Sequence, residues 1–250
     1  MGSIFKNKKI IRLEEVDSTN SILAAKYSSR SLPEGSVVVA SSQIKGRGQG
    51  QSKWQSEPGK NLTCSFIIYP EFVDASKQFY ISKTVSLAVA DLVGLYTDKV
   101  SIKWPNDIYV NDKKIAGLLI ENSIEKNIIK TSILGIGLNV NQKEFPSSLP
   151  NPTSLLKLTK TKFDLEEILE SLSNILEYRY SLLRNQEWDV IDDNYLNLLY
   201  RYKKLALYEI KGNRVAGSIE GVEPTGELIF KNDKSEILRF GHKEIEYVLG

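Results

Sequence analysis

The stretch "VSIKWPNDIYVNDKKIAGLLIEN" (residues 100–122), followed by "IIKTSILGIGLNVN" (residues 128–141), decides the fold class of this chain. Both segments are rich in β-branched residues, and turn signals interrupt the first of them at residues 105–107 and 111–112. This pattern predicts three or four consecutive antiparallel strands.

The same stretch places charged side chains close together. A turn at Asn111 and Asp112 would fold Lys114 back toward the level of Asn106 and Asp107. A cation beside an amide and a carboxylate suits phosphate chemistry, in which lysine binds the anion and oxygen atoms bind Mg²⁺. A β-turn at Pro-Asn-Asp without any function explains the same residues, so the use of this hairpin stays open here.

The flanking segments add helices and further strands in an α+β order. Residues 10–29 are typical of a strand, a helix cap and a helix, and residues 35–42 and 61–70 of two short strands. Apolar residues at three- and four-residue steps predict a long helix over 75–97 and another that begins after Asp164. Because several strands are consecutive, we expect an α+β fold with a mixed, largely antiparallel central sheet and flanking helices.

The character of the chain changes near Leu205. Short strands with Gly and Asn-Asp turns follow closely in "LALYEI", "RVAGSIEGVE", "GELIFKND" and "EILRF". They predict a small C-terminal β-barrel, and we expect one domain over residues 1–202 and a second over residues 203–250.

A Gly-rich loop, "QIKGRGQGQSKW", spans residues 43–54. Alternating glycines let a backbone approach a ligand closely, and their N–H groups can form an anion-binding nest. Arg47 stands between two of them and can bind a phosphate or carboxylate through two hydrogen bonds. Trp54 can lay its face on a flat ring such as adenine. A mobile surface loop and a tryptophan packed in the core are the competing interpretations.

Two shorter motifs carry weaker signals. Gly135 and Gly137 alternate inside an apolar strand that ends at Asn139, which favours either a close approach of a ligand or a β-bulge. The motif "DSTN" (residues 17–20) is typical of a helix N-cap, and its hydroxyl groups can also bind a small polar ring.

The bulk composition excludes several classes of protein. The net charge of the 250 residues is +2, which does not suggest a general nucleic-acid binder. The single cysteine, Cys64, lies in an apolar run and allows no intrachain disulfide, and the single histidine, His242, is interpreted as structural. No signal peptide and no apolar run of transmembrane length is visible, so we expect an intracellular, cytoplasmic protein.

Together these motifs resemble those of the biotin protein ligases. The matching pieces stand in order as "DSTN", "QIKGRG", a tryptophan followed by "SEPGKNL", "KWPNDIYVNDKKIAG" and "GIGLNVN". The resemblance extends from Ile11 to Leu249, and five modest motifs in this order are highly specific. It implies the class II synthetase-like catalytic fold of the biotin ligases and an SH3-like C-terminal barrel.

The resemblance also implies a two-step reaction. Biotin and ATP, with Mg²⁺, give biotinyl-5′-adenylate and pyrophosphate, and a lysine of a biotin carboxyl carrier protein or domain of a carboxylase such as acetyl-CoA carboxylase then takes the biotin as an amide. Neither a nucleic acid nor a membrane is an implied partner. Some relatives dimerise edge to edge through the central sheet, which leaves a homodimer open.

Individual positions take roles from the same resemblance. The implied biotin contacts are Ser18, Thr19, Asn20, Gln43, Gly46, Arg47, Lys114, Gly117, Gly135 and Gly137. The implied ATP contacts are Arg47, Gln49, Trp54, Asn106, Lys114 and Asn139. The implied catalytic residues are Lys114, Arg47, Asn106 and Asp107, with Mg²⁺ near Asn106 and no direct protein ligand assigned to it.

Two departures from the family pattern affect these expectations. Many members have a second arginine in the loop, which helps to retain the adenylate, where this chain has Gln49. The catalytic pattern also begins by residue 11, which leaves no room for a helix-turn-helix, so we expect the monofunctional type without a DNA-binding domain.

Two rival functions are considered. Lipoate ligases and octanoyl transferases share the fold, but their Arg-Arg, Gly-Gly-Gly and His-x-Asp pattern is missing from this sequence. A nucleotide-binding regulatory module without catalysis is the second rival, and the presence of Lys114, Arg47 and Asn106 argues against it.

Overall fold

The computed structural model describes residues 3–27, 32–50 and 52–248. Seven strands form its main sheet: β1 (Ile10–Val16), β2 (Val37–Gln43), β3 (Leu62–Ile68), β4 (Val100–Lys103), β5 (Asp107–Val110), β6 (Lys113–Glu125) and β7 (Ile128–Leu138). Their order is β1-β2-β3-β7-β6-β5-β4. Neighbouring strands are antiparallel except for the parallel pair β1 and β2. The predicted mixed, largely antiparallel sheet is therefore confirmed.

The opening stretch, for which three or four consecutive strands are predicted, forms four, β4 to β7. Gly117 on β6 lies opposite Gly137 on β7, and Leu119 lies opposite Gly135. Asn111, in the turn between β5 and β6, has a φ of 54°, a left-handed conformation that asparagine adopts more readily than most residues. The turn chemistry of the sequence thus fixes the hairpin that carries Lys114.

Within the described residues, five α-helices flank the sheet: α1 (Thr19–Tyr27), α2 (Phe79–Gly94), α3 (Leu155–Thr159), α4 (Leu165–Arg184) and α5 (Trp188–Leu198), and a 3₁₀ helix (Ala75–Lys77) precedes α2. Asp164 caps α4, because its side chain accepts a hydrogen bond from the Glu166 N–H at 2.7 Å. α2 is buried along most of its length between the sheet and α4. α5 ends at Leu198, because Leu199 is extended and the Tyr200 N–H donates to the Ile102 carbonyl at 2.9 Å.

A second sheet follows in the last fifth of the chain. Its strands are β8 (Ala206–Ile210), β9 (Asn213–Val222), β10 (Leu228–Asn232), β11 (Ile237–Phe240) and β12 (Ile245–Tyr247). They are antiparallel in the order β11-β10-β9-β8-β12, and the rings of Tyr208 and Phe230 pack in the interior at 5.0 Å. The small C-terminal β unit is confirmed, and β12 is a strand that the sequence did not indicate.

The two sheets share one continuous hydrophobic core. Trp104 Nε1 on the main sheet donates to the Gly226 carbonyl of the second sheet at 2.9 Å. Lys83 on α2 pairs with Asp192 on α5 at 2.5 Å and contacts the Val222 carbonyl at 3.5 Å. The division after residue 202 stays a prediction. Among the described residues, no helix is both long and apolar enough to cross a membrane.

Candidate active site

Three glycines form a flat surface on the neighbouring strands β6 and β7. A β-carbon on Gly137 would lie 2.3 Å from Cε2 of Trp54, and one on Gly135 would lie 2.4 Å from Oδ1 of Asn20. Only glycine therefore lets these two side chains lie directly on the sheet. The close approach at the alternating glycines is made by these two side chains, the strand has no bulge at residues 135–137, and a ligand contact there stays a prediction. Gly117, Gly135 and Gly137 are called the glycine floor below.

One end of the glycine floor carries a hydrogen-bond network that links α1, β2, β3 and β6. The backbone N–H and the hydroxyl of Thr19 donate to Gln43 Oε1 at 2.8 and 3.1 Å. The Ser65 hydroxyl lies 2.6 Å from Thr19 Oγ1 and 2.5 Å from Asn20 Oδ1. Asn20 Nδ2 donates to Glu121 Oε2 at 2.7 Å. These five residues form the polar end of the floor.

The polar end contains more acceptor oxygens than protons. Three short O···O contacts among Ser65, Thr19, Asn20 and Gln43 share only the two hydroxyl protons of Ser65 and Thr19. The Asn20 amide does not supply a third proton, because its Nδ2 faces the Leu119 carbonyl at 3.2 Å and a carboxylate. A ligand that brings N–H donors therefore suits this end of the floor.

The Gly-rich loop folds as a narrow hairpin beside the floor. The Trp54 N–H donates to the Gly46 carbonyl at 2.9 Å, and the Gly48 N–H donates to the Ser52 carbonyl at 2.8 Å. The hairpin carries the Trp54 ring onto the glycine floor and surrounds a cavity of about 610 Å³. The described residues of the loop thus form one wall of the site.

Arg47 extends from this loop to the polar end. Its Nη1 and Nη2 donate to the two carboxylate oxygens of Glu121 at 3.0 and 2.8 Å. Arg47 and Gln43, both implied biotin contacts, line the same cavity. The structure does not bring Arg47 together with Lys114, although both are predicted catalytic residues.

The opposite end of the glycine floor is cationic. Lys114 Nζ pairs with Asp107 Oδ1 at 2.6 Å, and it would lie 3.3 Å from a β-carbon on Gly117. The backbone of Lys114 is fixed on both sides, because its N–H binds the Asn151 carbonyl and its carbonyl binds the Thr153 N–H, each at 2.8 Å. The predicted return of Lys114 to the level of Asp107 is confirmed, and this is called the cationic end.

Asn106 precedes this pair in the turn. Its Nδ2 donates to the Leu118 carbonyl at 2.6 Å, and its own carbonyl accepts from the Leu118 N–H at 2.9 Å. Asn106 therefore ties the turn to β6 through both side chain and backbone. A contact with phosphate or Mg²⁺ stays a prediction.

A second cavity, of about 300 Å³, opens beside the cationic end and includes Trp54, Asn139, Lys103 and Tyr109 in its wall. Burial lowers the pKa of Lys103, and the positive charge of Lys114 acts in the same direction against the opposing effect of Asp107. Burial also raises the pKa of Tyr109 to about 12, so its hydroxyl stays neutral. The cavity combines apolar walls with cations, a composition that suits a nucleotide.

Three residues, two in the wall of the second cavity and one in the Gly-rich loop, have buried polar atoms without a hydrogen-bond partner in the part of the chain that the structure describes. They are Gln49 Oε1, Trp54 Nε1 and Asn139 Oδ1. An unsatisfied buried polar atom costs about 1–3 kcal/mol. All three residues are predicted ATP contacts, and a ligand in the second cavity would supply partners for Trp54 Nε1 and Asn139 Oδ1.

The C-terminal sheet also reaches the site. The turn before β12 places Lys243 Nζ 3.3 Å from where a β-carbon on Gly50 would lie. His242 in the same turn has its pKa lowered by burial and by Lys243, while Asp107 raises it and Lys103 lowers it further. His242 therefore lies within electrostatic reach of Asp107 and Lys103 beside the cationic end, and its structural role stays a prediction.

The sequence pattern of the Biotin/lipoate A/B protein ligase family matches residues 13–139, just over half of the chain. The chain belongs to this family. The matched residues begin in β1 and end at Asn139, so they include the glycine floor and both of its ends.

Members of this family and solved structures support the same placement. The bifunctional ligase/repressor BirA of Bacillus spizizenii is 33% identical over 174 residues, which is 67% of this chain and 52% of that protein. This chain therefore spans about half the length of that relative. The biotin–[acetyl-CoA-carboxylase] ligase of Mycobacterium tuberculosis is 29% identical over 212 residues, 83% of this chain and 73% of that protein. The biotin protein ligase of Aquifex aeolicus, solved in complex with biotin and ATP, aligns with a TM-score of 0.79 and 25% identity, over 96% of this chain and 100% of that one.

Two site residues of this family member were missed by sequence reasoning. Ser65 is a polar residue in the fully buried strand β3, directly opposite Gly135, and that register places it on the floor. Glu121 ends the apolar run of β6 and shares a face with Gly117 and Leu119, because side chains alternate along a strand. The alternation of side chains along each strand was a partial signal for both residues. It gives the face that each residue shares with its neighbours, but not the strand pairing that brings this face to the site.

Proposed function

We propose that this chain is a biotin protein ligase that forms biotinyl-5′-adenylate from biotin and ATP and transfers the biotin to a lysine of a biotin carboxyl carrier domain. The observation that carries this proposal is the glycine floor, with its acceptor-rich end at Thr19 and Asn20 and its cationic end at Lys114. Biotin carries N–H donors on its ureido ring and a carboxylate at the end of a short acyl chain. The two ends of the floor lie two to four residues apart along a strand, or about 7–13 Å.

In the first step, the biotin carboxylate oxygen attacks the α-phosphorus of ATP, a new P–O bond forms, and pyrophosphate leaves. Both reactants are anions, so a cation must offset their repulsion. Lys114 is the cation at the end of the floor, and its fixed backbone holds it there. The loop and Trp54 cover the floor, which protects a reactive mixed anhydride from water.

In the second step, the amine of the carrier lysine attacks the acyl carbon, an amide forms, and AMP leaves. The attacking amine must lose a proton. Asp107 is the carboxylate at the cationic end, and its ion pair with Lys114 fixes its orientation toward an incoming amine. We infer that Asp107 orients the carrier lysine or accepts its proton.

ATP is proposed to occupy the cavity beside Trp54 and Asn139, where their unpaired polar atoms would face it. Mg²⁺ would arrive with ATP and would offset negative charge on its phosphates. Asn106 and Asp107 are the nearby oxygen donors, although Asp107 Oδ1 already binds Lys114. The proposed biotin contacts remain Ser18, Thr19, Asn20, Gln43, Gly46, Arg47, Lys114, Gly117, Gly135 and Gly137.

Lipoate is the competing acid, because the family includes lipoate ligases. A lipoyl ring has no N–H donors, so it would leave the acceptor surplus of Ser65, Thr19 and Asn20 unmatched. Pyrophosphate release should be measured with ATP and either biotin, lipoate or no acid. Biotin is expected to support release well above lipoate; release that depends on lipoate but not on biotin would refute the proposal.

The carrier domain is proposed to belong to a biotin-dependent carboxylase. The name of the Mycobacterium tuberculosis relative specifies acetyl-CoA carboxylase. Transfer of labelled biotin to a purified carrier domain of that enzyme tests this part of the proposal.

Replacing Gln49 with arginine is expected to slow dissociation of biotinyl-5′-adenylate roughly fivefold. A charge-assisted hydrogen bond contributes about 1 kcal/mol more than a neutral one. Gln49 belongs to the Gly-rich loop, and its buried Oε1 has no hydrogen-bond partner in the described structure, so the replacement breaks no hydrogen bond of that oxygen. Release of labelled adenylate in a chase experiment measures the rate, with Gln186→Arg, an exposed site between α4 and α5, as the charge control. An unchanged rate would show that Gln49 does not limit retention.

Replacing Trp54 with alanine is expected to weaken ATP more than biotin. Stacking of a base on an aromatic ring contributes about 1–3 kcal/mol, and its loss corresponds to roughly a 5- to 150-fold rise in the KM for ATP. Trp54 lines the cavity assigned to ATP and also covers Gly137. The KM values for both substrates measure the ratio, and Trp54→Phe should restore most of the loss. Equal effects on both substrates would assign Trp54 to the biotin tail instead.

A further inference from the structure

Glu121 belongs to the polar end but has no role in the proposed reaction, yet it makes a bidentate ion pair with the Gly-rich loop. Its carboxylate accepts two parallel hydrogen bonds from Arg47, at 3.0 and 2.8 Å. The same carboxylate accepts from Asn20 Nδ2 at 2.7 Å. A bidentate arginine–carboxylate pair is the most specific ion-pair geometry in proteins. Arg47 is the one arginine of the Gly-rich loop, so Glu121 holds the loop against the sheet through the guanidinium of Arg47.

This pairing is incompatible with a phosphate contact by Arg47 at the reaction centre. Lys114 Nζ lies at the level of Gly117, and the guanidinium of Arg47 lies at Glu121, four residues further along β6. At about 3.3 Å per residue, the backbone positions of Gly117 and Glu121, which mark the levels of the two cations, are about 13 Å apart along the strand. One carboxylate or phosphate group cannot bind both cations. Arg47 must leave Glu121 before it can join Lys114 on the reacting anions.

The surroundings of both Arg47 and Glu121 allow Arg47 to exchange Glu121 for another anion. Gly46 and Gly48 flank Arg47, so the backbone at the loop can rotate with few steric limits. The Glu121 carboxylate keeps its bond to Asn20 when Arg47 leaves, so it is not left without a partner. The Arg47–Glu121 pair is also partly exposed, with 43% and 37% of the two side chains accessible, so separating it costs little.

We propose that Glu121 is a positioning residue that holds Arg47 and the loop at the polar end in the free enzyme and releases Arg47 to the adenylate when the ligand binds. The carboxylate of Glu121 and the anionic groups of the ligand compete for one guanidinium. The identity of the ligand in this proposal rests on the proposed function. The contact between Arg47 and Glu121 in the free enzyme does not depend on that function.

The variant Glu121→Gln tests the competition. Glutamine keeps the shape and an acceptor for Asn20 but loses the charge that holds Arg47. In the absence of ligand, trypsin is expected to cut the loop at Lys45, Arg47 or Lys53 roughly two- to fivefold faster than in the wild type. A non-hydrolysable biotinyl-adenylate analogue is expected to bind roughly two- to fivefold more tightly, because it no longer displaces a carboxylate.

A looser loop together with tighter binding is a combination that a merely structural role of Glu121 does not produce. The matched control is Glu166→Gln, which removes a similar bidentate pair with Arg12 on the distant start of α4; it should change neither quantity. In an Arg47→Ala background, Glu121→Gln should no longer alter the affinity.

Two outcomes overturn the proposal. Weaker analogue binding by Glu121→Gln would mean that Glu121 aims Arg47 at the ligand and stays bound to it. Unchanged proteolysis would mean that the pair does not hold the loop. If the wild type releases no pyrophosphate with biotin, the proposed function fails, while the proteolysis of the free chain still decides whether the pair holds the loop.

Discussion

Replacement of Lys114 by alanine is expected to slow formation of biotinyl-5′-adenylate by about 2–4 kcal/mol of transition-state stabilisation, or roughly 30- to 1,000-fold. Lys114 provides the positive charge at the cationic end of the glycine floor, and its side chain is about two-thirds buried. Negative charge accumulates there as the biotin carboxylate approaches the α-phosphate. Removal of the ammonium group would also leave the Asp107 carboxylate, which is 17% exposed, beside two anionic reactants.

Rapid mixing of enzyme, biotin and ATP, followed by measurement of pyrophosphate in a single turnover, tests this expectation. Lys113→Ala is the matched control, because Lys113 is the exposed neighbour on the same strand. Lys114→Arg keeps the charge but not the compact ammonium, and it should recover only part of the rate. Near-normal adenylation by Lys114→Ala would remove Lys114 from the role given to it.

Replacement of Gly137 by alanine is expected to reduce the affinity for biotinyl-5′-adenylate roughly 5- to 150-fold without unfolding the protein. The new methyl group would lie 2.3 Å from Cε2 and 2.6 Å from Cζ2 of Trp54. Overpacking of this kind costs about 1–3 kcal/mol. The cost falls on the loop, because the Trp54 side chain can move away whereas strand β7 lies in the centre of the sheet.

Titration calorimetry with a non-hydrolysable adenylate analogue gives the affinity, and thermal unfolding gives the stability. Gly221→Ala is the control: Gly221 is also a strand glycine, but a β-carbon there would meet only Ile229 Cδ1, at 3.6 Å. Gly137→Ala should keep a Tm close to that of the control. A large fall in Tm with unchanged affinity would show that the glycine serves the sheet and not the site.

The sequence predicts the framework of the site because turns and periodicity are local signals. Asn111 and Asp112 specify the hairpin that returns Lys114 to Asp107. The alternation of Gly135 and Gly137 specifies a strand face that accepts Trp54 and Asn20. The helix cap at Asp164 is read directly from residue type.

The contacts between distant segments were not predictable in the same way. Ser65 and Glu121 join the site through strand register, which sets β3 and β6 on either side of β7 and is invisible in any single segment. The position of Arg47 is set by a carboxylate 74 residues away. The approach of Lys243 to the Gly-rich loop depends on how the two sheets pack, and no local pattern near β12 encodes it.

Arg47 illustrates the difference between residue type and state. Its place between two glycines predicts an anion contact, and the structure shows such a contact with Glu121. The proposed catalytic role requires a different anion at the other end of the floor. The sequence therefore predicts that Arg47 binds an anion. The identity of that anion in the free enzyme, the Glu121 carboxylate, follows from the packing of β6.

Direct detection of the acyl-adenylate tests the central claim, which is that the glycine floor binds and activates biotin. The purified chain should be incubated with MgATP and an equimolar mixture of biotin and lipoate, separated from free small molecules, and examined by mass spectrometry. The account predicts protein-bound biotinyl-5′-adenylate, which is absent without ATP and strongly reduced in Lys114→Ala. Recovery of lipoyl-adenylate in its place, or of no acyl-adenylate from the wild type, would contradict it.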